Sequence, residues 1–179
     1  MDAFEDVIAT IMERDGFWTS TTFKVDLTKE DKEEIGKPSC PRWELDVIGY
    51  RPGDNLLRIV ECKSYLDSSG VSWGVIDPSH RNAGRYKLFH DRVTREVVFR
   101  RLVAQLVETK AIQKNPDIQL CLAAGNIVKS KAADIQAHFD ANEWHLFGPG
   151  WIREQLTAVA GDGYDNAIAA VTAKLLLRE

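Results

Sequence analysis

Two strand-like segments joined by a strong turn sequence constrain the fold more than any other feature of this chain. Residues 42–51 and 56–65 combine β-branched, aliphatic and aromatic residues with a few charges, and Pro52-Gly53-Asp54-Asn55 separates them. Turn residues between two such runs are typical of a tight antiparallel connection. The sequence therefore predicts a β-hairpin over residues 42–65.

The register of this hairpin determines which charged residues meet. If the strands pair outward from the turn, Asp46 lies opposite Glu61, and Glu44 lies opposite Lys63. Because strand side chains alternate, all four share one face, with opposing Cβ atoms about 4.5–5.5 Å apart. Two carboxylates at that distance repel each other unless a cation lies between them.

This charged patch has the chemistry of a site for Mg²⁺ or Mn²⁺, which prefer oxygen ligands completed by water and substrate phosphate. We expect Asp46 and Glu61 to bind the metal ion. We expect Lys63 to orient the attacking water or help to deprotonate it, and to offset charge on the pentacoordinate phosphate. The Cys62 side chain points to the opposite face, where it packs in the core, and its backbone carbonyl is a further candidate metal ligand.

A plain cross-strand ion pair between Glu44 and Lys63 on a half-exposed sheet is the alternative interpretation. However, Glu61 and Lys63 lie in a strand that is otherwise apolar. Charges in such a strand are costly unless they are paired or bound to a ligand, which favours the metal site.

The rest of the chain alternates between helical and strand-like segments. Apolar spacing predicts helices over 2–15, 91–114, 130–141, 149–160 and about 164–177. Apolar and β-branched runs predict further strands over 17–27, 118–124 and 144–147. Residues 28–41 are expected to form an exposed loop or a short helix, and 64–90 a long loop that is functional or mobile. This order predicts one mixed α/β domain over 1–179, with a core over about 4–147 and a helical part over about 149–179.

Asp46 is followed, after fourteen further residues, by Glu61-Cys62-Lys63. This motif and its spacing resemble those of the PD-(D/E)xK nuclease superfamily. The resemblance covers residues 4 to about 124. It implies the restriction-endonuclease-like fold, with an α-β-β-β-α-β core and here extra C-terminal helices. It also implies that Asp46 and Glu61 bind the divalent metal and that Lys63 serves the hydrolytic water. The residue before Asp46 is Leu45 rather than proline, a position that varies in the family, and Pro41 lies upstream.

The same resemblance points to residues outside the hairpin. A glutamate on the first helix commonly completes the family's site, and Glu13 is the matching position, with Glu5 the less favoured substitute. A glutamine on the following helix occurs in some branches, and Gln105 is a weak match. For both Glu13 and Gln105, an ordinary position on a helix surface is the alternative.

The charge distribution indicates where a polyanion could bind. The formal net charge is -4 and the pI is about 5.6. These values exclude a protein that coats nucleic acid with a basic charge over its whole surface. Residues 81–101 nevertheless hold seven basic and two acidic residues. We expect the following to contact phosphates: Arg81, Arg85, Arg92 and Arg95. Four aromatics lie among or near them and are candidates to stack on the bases of single-stranded or distorted DNA: Tyr65, Trp73, Tyr86 and Phe89. The alternative is that the arginines form a solvated helix face and that these aromatics anchor the loop to the core.

Cysteine and histidine usage points away from other site types. The three cysteines, Cys40, Cys62 and Cys121, form no C-x-x-C pair, which favours a reducing, cytoplasmic location and argues against a disulfide framework. The four histidines lack metal-ligand spacing. No apolar run has the roughly 18–20 residues of a membrane span, and the N-terminus does not resemble a secretory signal.

The expected function is a metal-dependent endonuclease that hydrolyses DNA phosphodiester bonds. Nucleases of this fold often pair to cut two strands, so a homodimer is one expected arrangement. Two alternatives remain open at this point. One is a non-catalytic module on the same fold that binds DNA or a protein. The other is a hydrolase of a different phosphodiester, because the chemistry of the site does not determine the polymer.

Overall fold

A mixed β-sheet organises the chain. The structure is a computed structural model that describes residues 2–39 and 42–177, so that Met1, Cys40, Pro41, Arg178 and Glu179 lie outside it. The described strands are β1 (Trp18–Asp26), β2 (Arg42–Arg51), β3 (Leu56–Lys63), β4 (Asp117–Ala124) and β5 (His145–Phe147), and they pair in that order. The first three strands are antiparallel, and β3, β4 and β5 are parallel. The mixed α/β class is confirmed.

Seven α-helices accompany the sheet within the described residues. They are α1 (Ala3–Arg14), α2 (Lys29–Glu34), α3 (Lys87–His90), α4 (Arg92–Glu108), α5 (Ala132–Ala141), α6 (Pro149–Gly161) and α7 (Ile168–Leu177). Asp2 caps α1 by accepting a hydrogen bond from the Phe4 N–H at 2.8 Å. Gly16 follows α1 with φ +82°, the left-handed conformation that ends many helices.

The predicted hairpin register is confirmed next to the turn. Arg51 pairs with Leu56, and the antiparallel ladder continues to Val47 opposite Val60. A side-chain hydrogen bond ties the turn to β2, because the Tyr50 hydroxyl donates to Asn55 Oδ1 at 2.9 Å. The hairpin strands are therefore aligned as the sequence indicates up to the residue beside Asp46.

The sheet is buried on both faces. On one face Leu57 and Ile59 belong to a buried apolar cluster with Leu102 of α4. On the other face Val60 belongs to a second cluster with Ile8 of α1. Full burial of one such side chain stabilises the fold by about 1.5–3 kcal/mol. The two clusters hold α1 and α4 on opposite sides of β2 and β3.

The helix predicted over 91–114 ends earlier, at Glu108. Lys110 adopts φ +60°, which a continuing α-helix does not allow. Asn55 of the hairpin turn then donates to the carbonyls of Lys114 and Asn115, both at 3.1 Å. These tertiary hydrogen bonds turn the end of the predicted helix into a connection tied to the hairpin.

The segment expected to be a long loop, 64–90, is largely packed. It contains two short 3₁₀ turns and α3. Tyr86 and Phe89 are buried in the apolar cluster next to α4, so for these two aromatics the anchoring interpretation is confirmed. Val71 forms an isolated parallel bridge with Ile127. Much of the segment therefore has a defined place beside the sheet.

The C-terminal helices pack on the same side as α1. Ile152 of α6 joins the apolar cluster of Ile8, and Arg14 of α1 pairs with Asp162 at 2.5 Å. None of the described helices is both long enough and apolar enough to cross a membrane.

Candidate functional site

The strands β2 and β3 separate at Asp46. Their ladder stops at Val47 opposite Val60, one residue before the predicted pair of Asp46 and Glu61. In place of a backbone pair, the Asp46 side chain crosses the gap, and its Oδ2 accepts a hydrogen bond from the Cys62 N–H at 2.7 Å. The sheet thus opens at the predicted site, and a carboxylate substitutes for a ladder carbonyl.

The neighbouring strand β1 is irregular at the same point. Thr21 pairs with Val47 and Phe23 with Leu45, whereas Thr22, between them, has φ +52°. Leu45 also lies in the same apolar cluster as Ile48. Residues three apart in a regular strand point to opposite faces, so the alternation shifts at Asp46. This irregularity lets Asp46 point into the gap between β2 and β3.

Lys63 lies between the two carboxylates. Its Nζ is 2.6 Å from Glu61 Oε1 and 3.8 Å from Asp46 Oδ2. The side chains are 17% exposed for Lys63, 21% for Glu61 and 25% for Asp46, so water screens their charges only partly. The predicted opposition of Glu44 and Lys63 is wrong, because the strands part before reaching it and Glu44 is exposed.

The electrostatics of this cluster follow from burial and proximity. Burial raises the pKa of Glu61, and the charge of Asp46 adds to the effect, while Lys63 opposes it. Burial alone would lower the pKa of Lys63, but the attraction of Glu61 outweighs it and the pKa of Lys63 is raised. Lys63 is therefore an ammonium group at neutral pH.

The helix α1 brings Glu5, rather than Glu13, to the cluster. Thr22 Oγ1 donates to Glu5 Oε2 at 3.2 Å, and burial together with the charge of Asp46 raises the pKa of Glu5. Glu13 lies eight residues further along α1, about 12 Å at 1.5 Å per residue, and accepts a hydrogen bond from Thr19. The structure therefore places Glu5, the less favoured substitute, closer to Asp46 than Glu13, because the direction of α1 across the sheet decides which glutamate faces the cluster.

The backbone of Cys62 faces the same gap. The Gly125 N–H donates to the Lys63 carbonyl at 2.9 Å, which directs that carbonyl towards the end of β4. Successive carbonyls of a strand point to opposite sides, so the Cys62 carbonyl points with its N–H towards Asp46. The Cys62 side chain packs against the apolar cluster of α1, as expected, and burial raises the pKa of its thiol.

These donors fit a hard divalent cation. Two half-buried carboxylates and a backbone carbonyl are oxygen ligands of the kind that Mg²⁺ and Mn²⁺ accept. Asp46, Glu61 and the Cys62 carbonyl are thus the residues able to hold such an ion. Across the described parts of the chain, no group of three or more His, Cys, Asp and Glu side chains is arranged to hold a metal on its own. With two side-chain ligands, the other coordination positions of the ion would be filled by the backbone carbonyl, water and substrate.

A cleft of about 370 Å³ opens beside Asp46 and Glu61. Its walls carry four basic residues: Lys37, Arg42, Arg85 and Lys87. Lys37 Nζ lies 4.3 Å from the centre of the Trp43 ring, which also lines the cleft. Positive side chains around buried carboxylates suit an anionic substrate that must approach a negatively charged centre.

Lys37 and Arg42 were missed by sequence reasoning. They precede or begin β2, outside the basic stretch over 81–101, and no spacing rule connects them to Asp46. The signal that could have found them is their closeness in sequence to β2, which carries Asp46 itself.

Of the four arginines predicted to contact phosphates, only Arg85 lies in the cleft, and Gln105, the weak match to the family's glutamine and also a candidate substrate contact, does not line it. Arg81 is exposed on the segment before it, and Arg92 forms an exposed ion pair with Glu96 at 2.6 Å. Neither arginine is among the residues that line the cleft.

Arg95 and Gln105 instead stabilise the fold. Arg95 donates to the Leu88 carbonyl at 2.8 Å, which ties α4 to α3. Gln105 accepts from the Asp26 N–H at 3.1 Å and donates to the Lys24 carbonyl at 3.2 Å, clipping α4 to the edge strand β1. Tertiary backbone partners thus occupy both side chains, which lie outside the cleft.

No family model, no curated protein and no solved structure matches the chain.

Proposed function

We propose that this chain is a nuclease that hydrolyses DNA phosphodiester bonds with Mg²⁺ or Mn²⁺, on a restriction-endonuclease-like fold. The observation that carries the proposal is the arrangement of Asp46, Glu61 and Lys63 where β2 and β3 part. Asp46 Oδ2 and Glu61 Oε1 lie 3.8 Å and 2.6 Å from the same ammonium nitrogen. Held this close and partly buried, two carboxylates repel each other, and such repulsion is retained where a cation is to be bound.

The roles of the residues follow from their charges. Asp46, Glu61 and the Cys62 carbonyl would hold the ion, which when bound supplies an acidified water and withdraws charge from the phosphate. Lys63, whose pKa is raised, stays protonated. It therefore acts by donating hydrogen bonds to the water and to the phosphate oxygens rather than by accepting a proton.

Glu5 is the candidate proton acceptor. Its pKa is raised by burial and by Asp46, which brings its basicity closer to that needed at neutral pH. In the balanced reaction, a water oxygen bonds to phosphorus, its proton passes to Glu5, and one ester P–O bond breaks. The leaving oxygen then takes up a proton from solvent.

The basic residues of the cleft indicate the class of substrate. Lys37, Arg42, Arg85 and Lys87 line it beside the carboxylates. Contacts of this kind bind the repeated phosphates of a nucleic acid without reading its sequence, and they weaken with salt. They support a DNA backbone as the partner.

The test is a cleavage assay with Mg²⁺ or Mn²⁺ and with EDTA on linear, circular, single-stranded and branched DNA. We expect metal-dependent cleavage that Asp46→Asn and Lys63→Ala abolish. Lys24→Ala is the matched control, because Lys24 is an exposed lysine on β1. Cleavage retained by both site variants would exclude this site.

A non-catalytic DNA-binding module is the second candidate. It is favoured by one observation, that Lys63 already neutralises Glu61 without a metal. The discriminating measurement is the melting temperature in Mn²⁺, because a ligand that binds only the folded protein raises it. A nuclease shows a shift that Glu61→Gln removes. No shift, together with DNA binding that needs no metal, supports the module.

A further inference from the structure

A second cavity lies between the helices α1 and α6, away from the candidate nuclease site. Its volume is about 310 Å³, at the lower end of the range of roughly 300–1,000 Å³ for small-molecule sites. Arg58 lines it and precedes Lys63 by five residues on β3, which separates the two by about 16–17 Å. The other lining residues that matter here are Asp15, His145, Phe147, Trp151 and Gln155.

Arg58 brings a charge to an apolar face of the sheet. On β3 it lies between Leu56 and Val60 in the strand alternation, and both of these belong to the buried apolar cluster next to α1. The Arg58 side chain is only 16% exposed, so water screens its charge weakly. Its guanidinium carbon lies over the rings of Phe17 and Phe147, 4.6 Å and 5.6 Å from their centres. A cation that is nearly buried also needs polar partners.

The polar partners of Arg58 are incomplete. Its Nε donates to Gln119 Oε1 at 2.8 Å. Its Nη1 lies 3.6 Å from Asp15 Oδ2, but Asp15 is 59% exposed and also pairs with Arg51 at 3.2 Å. Across the described part of the chain, neither Nη1 nor Nη2 of Arg58 donates a hydrogen bond. The N–H groups of both nitrogens are therefore available to an anion that enters the cavity.

Two more polar side chains reach this cavity with unused hydrogen-bonding atoms. Gln155 is half-buried on α6, four residues after Trp151 and so on the same helix face. His145 begins β5. Among the residues that the structure describes, the Gln155 amide and the His145 ring nitrogens have no hydrogen-bond partner. An amide offers a donor and an acceptor side by side, which matches the edge of a nucleobase.

Aromatic rings form another part of the lining. The rings of Phe147 and Trp151 are stacked, with their centres 4.4 Å apart and an angle of 17° between their planes. The His145 ring is also nearly parallel to that of Phe147, at 18° and 6.4 Å between centres. Flat rings in nearly parallel planes suit a planar ligand, because any base can stack on an aromatic side chain.

We propose that this cavity binds a 5′-mononucleotide, with its phosphate at the Arg58 guanidinium and its base against the aromatic rings, where Gln155 bonds the edge of the base. A nucleotide carries the complement of each feature: an anionic phosphate, a planar ring, and an edge of donors and acceptors. The proposal is independent of the proposed nuclease function, because Asp46, Glu61 and Lys63 take no part in it.

The test is calorimetric titration of the full chain with 5′-AMP in EDTA, so that no divalent ion occupies the candidate metal site. Adenosine and inorganic phosphate are titrated in parallel, since each carries only one half of the proposed ligand. We expect saturable one-to-one binding of 5′-AMP, and binding at least tenfold weaker for adenosine and for phosphate.

Variants assign the binding to the cavity. Arg58→Met keeps a long side chain and removes the donors, so it should weaken 5′-AMP binding about tenfold or more. Arg153→Met is its control, because Arg153 is exposed on α6. Gln155→Ala removes an amide that holds no other part of the described protein, so it should weaken binding about threefold to tenfold with an unchanged melting temperature. Gln136→Ala, an exposed position on α5, is the control for that variant.

The proposal is overturned if 5′-AMP does not bind at millimolar concentration, or if adenosine or phosphate alone binds as tightly. It is overturned equally if Gln155→Ala binds 5′-AMP like Gln136→Ala. Loss of binding in Arg85→Ala, with binding kept in Gln155→Ala, would place the nucleotide in the cleft and also refute the proposal. If Arg58→Met fails to fold, the comparison of the two glutamine variants decides alone.

Discussion

Asp46 Oδ2 lies 2.7 Å from the backbone nitrogen of Cys62, so an acidic side chain satisfies the N–H that β2 would otherwise pair. This hydrogen bond stabilises the fold and also positions a residue of the candidate site. It holds Asp46 beside Glu61 and Lys63, and it bridges the gap between β2 and β3 just beyond the point where their ladder stops. Charge and hydrogen bonding at Asp46 can therefore be separated by mutation.

Asp46→Asn and Asp46→Ala should differ in stability but not in activity. Both remove a carboxylate ligand, and we expect metal-dependent cleavage to fall by roughly two orders of magnitude or more. The asparagine keeps an oxygen acceptor for the Cys62 N–H and relieves repulsion with Glu61. The Asp46→Asn protein should therefore unfold at or above the urea concentration that unfolds the wild type. The alanine leaves that N–H unpaired, at a cost of about 1–3 kcal/mol. Urea unfolding without metal measures this, and equal stability of the two variants would contradict the role of the bond.

Glu5→Gln should impair cleavage, whereas Glu13→Gln should not. Glu5 accepts a hydrogen bond from Thr22, and the charge of Asp46 helps to raise its pKa. Because Glu5 is the proposed proton acceptor, its loss should reduce the rate about 10²-fold to 10⁴-fold. Glu13 bonds Thr19 and lies about 12 Å further along α1, so its variant should cleave at the wild-type rate. The measurement is single-turnover cleavage at saturating Mg²⁺. The reverse order of activity would restore Glu13 as the site residue.

The stability of the metal-free protein should depend on pH through Glu5. Because its pKa is raised in the folded state, the fold binds this proton more tightly than the unfolded chain does. Ionising Glu5 therefore costs stability as the pH rises from the ordinary value of 4.5 through the raised folded value. Glu5→Gln should melt above the wild type at pH 7, and the two should converge below pH ~4. Thermal unfolding in EDTA at several pH values tests this, and a wild type that is more stable than Glu5→Gln at pH 7 would refute it.

Gln105→Ala should weaken the fold without impairing cleavage. It removes two hydrogen bonds that clip α4 to the backbone of β1, at a cost of about 1–2 kcal/mol in the free energy of unfolding. Arg92→Ala is the control, since its ion pair with Glu96 is exposed to solvent and contributes little to stability. A Gln105→Ala protein that is as stable as the wild type but inactive would return Gln105 to the site.

Local sequence patterns were sufficient to predict the hairpin and its register near the turn. The turn residues and the alternation of apolar side chains predicted the register of β2 and β3, and the structure confirms it from Arg51 and Leu56 to Val47 and Val60. The closeness of Asp46, Glu61 and Lys63 followed from that register, although Asp46 approaches β3 through its side chain rather than its backbone. Short-range spacing was sufficient because one tight turn connects all three residues.

The partners from other elements required the assembled structure. Whether Glu5 or Glu13 reaches Asp46 depends on the direction of α1 across the sheet. Arg85 and Arg95 are ten residues apart in one basic stretch, yet one lines the cleft and the other bonds the Leu88 carbonyl. Composition cannot distinguish such residues, because identical side chains differ only in what surrounds them.

By itself, then, the amino-acid sequence determined the mixed α/β class, the hairpin and the identity of three charged residues at its open end. Tertiary structure alone decided which glutamate of α1 joins them and which basic residues face the cleft. The physical reason is the range of the interactions. Turn preference and strand alternation act between near neighbours in the chain, whereas burial and hydrogen bonding join residues that only the packed sheet and helices bring together.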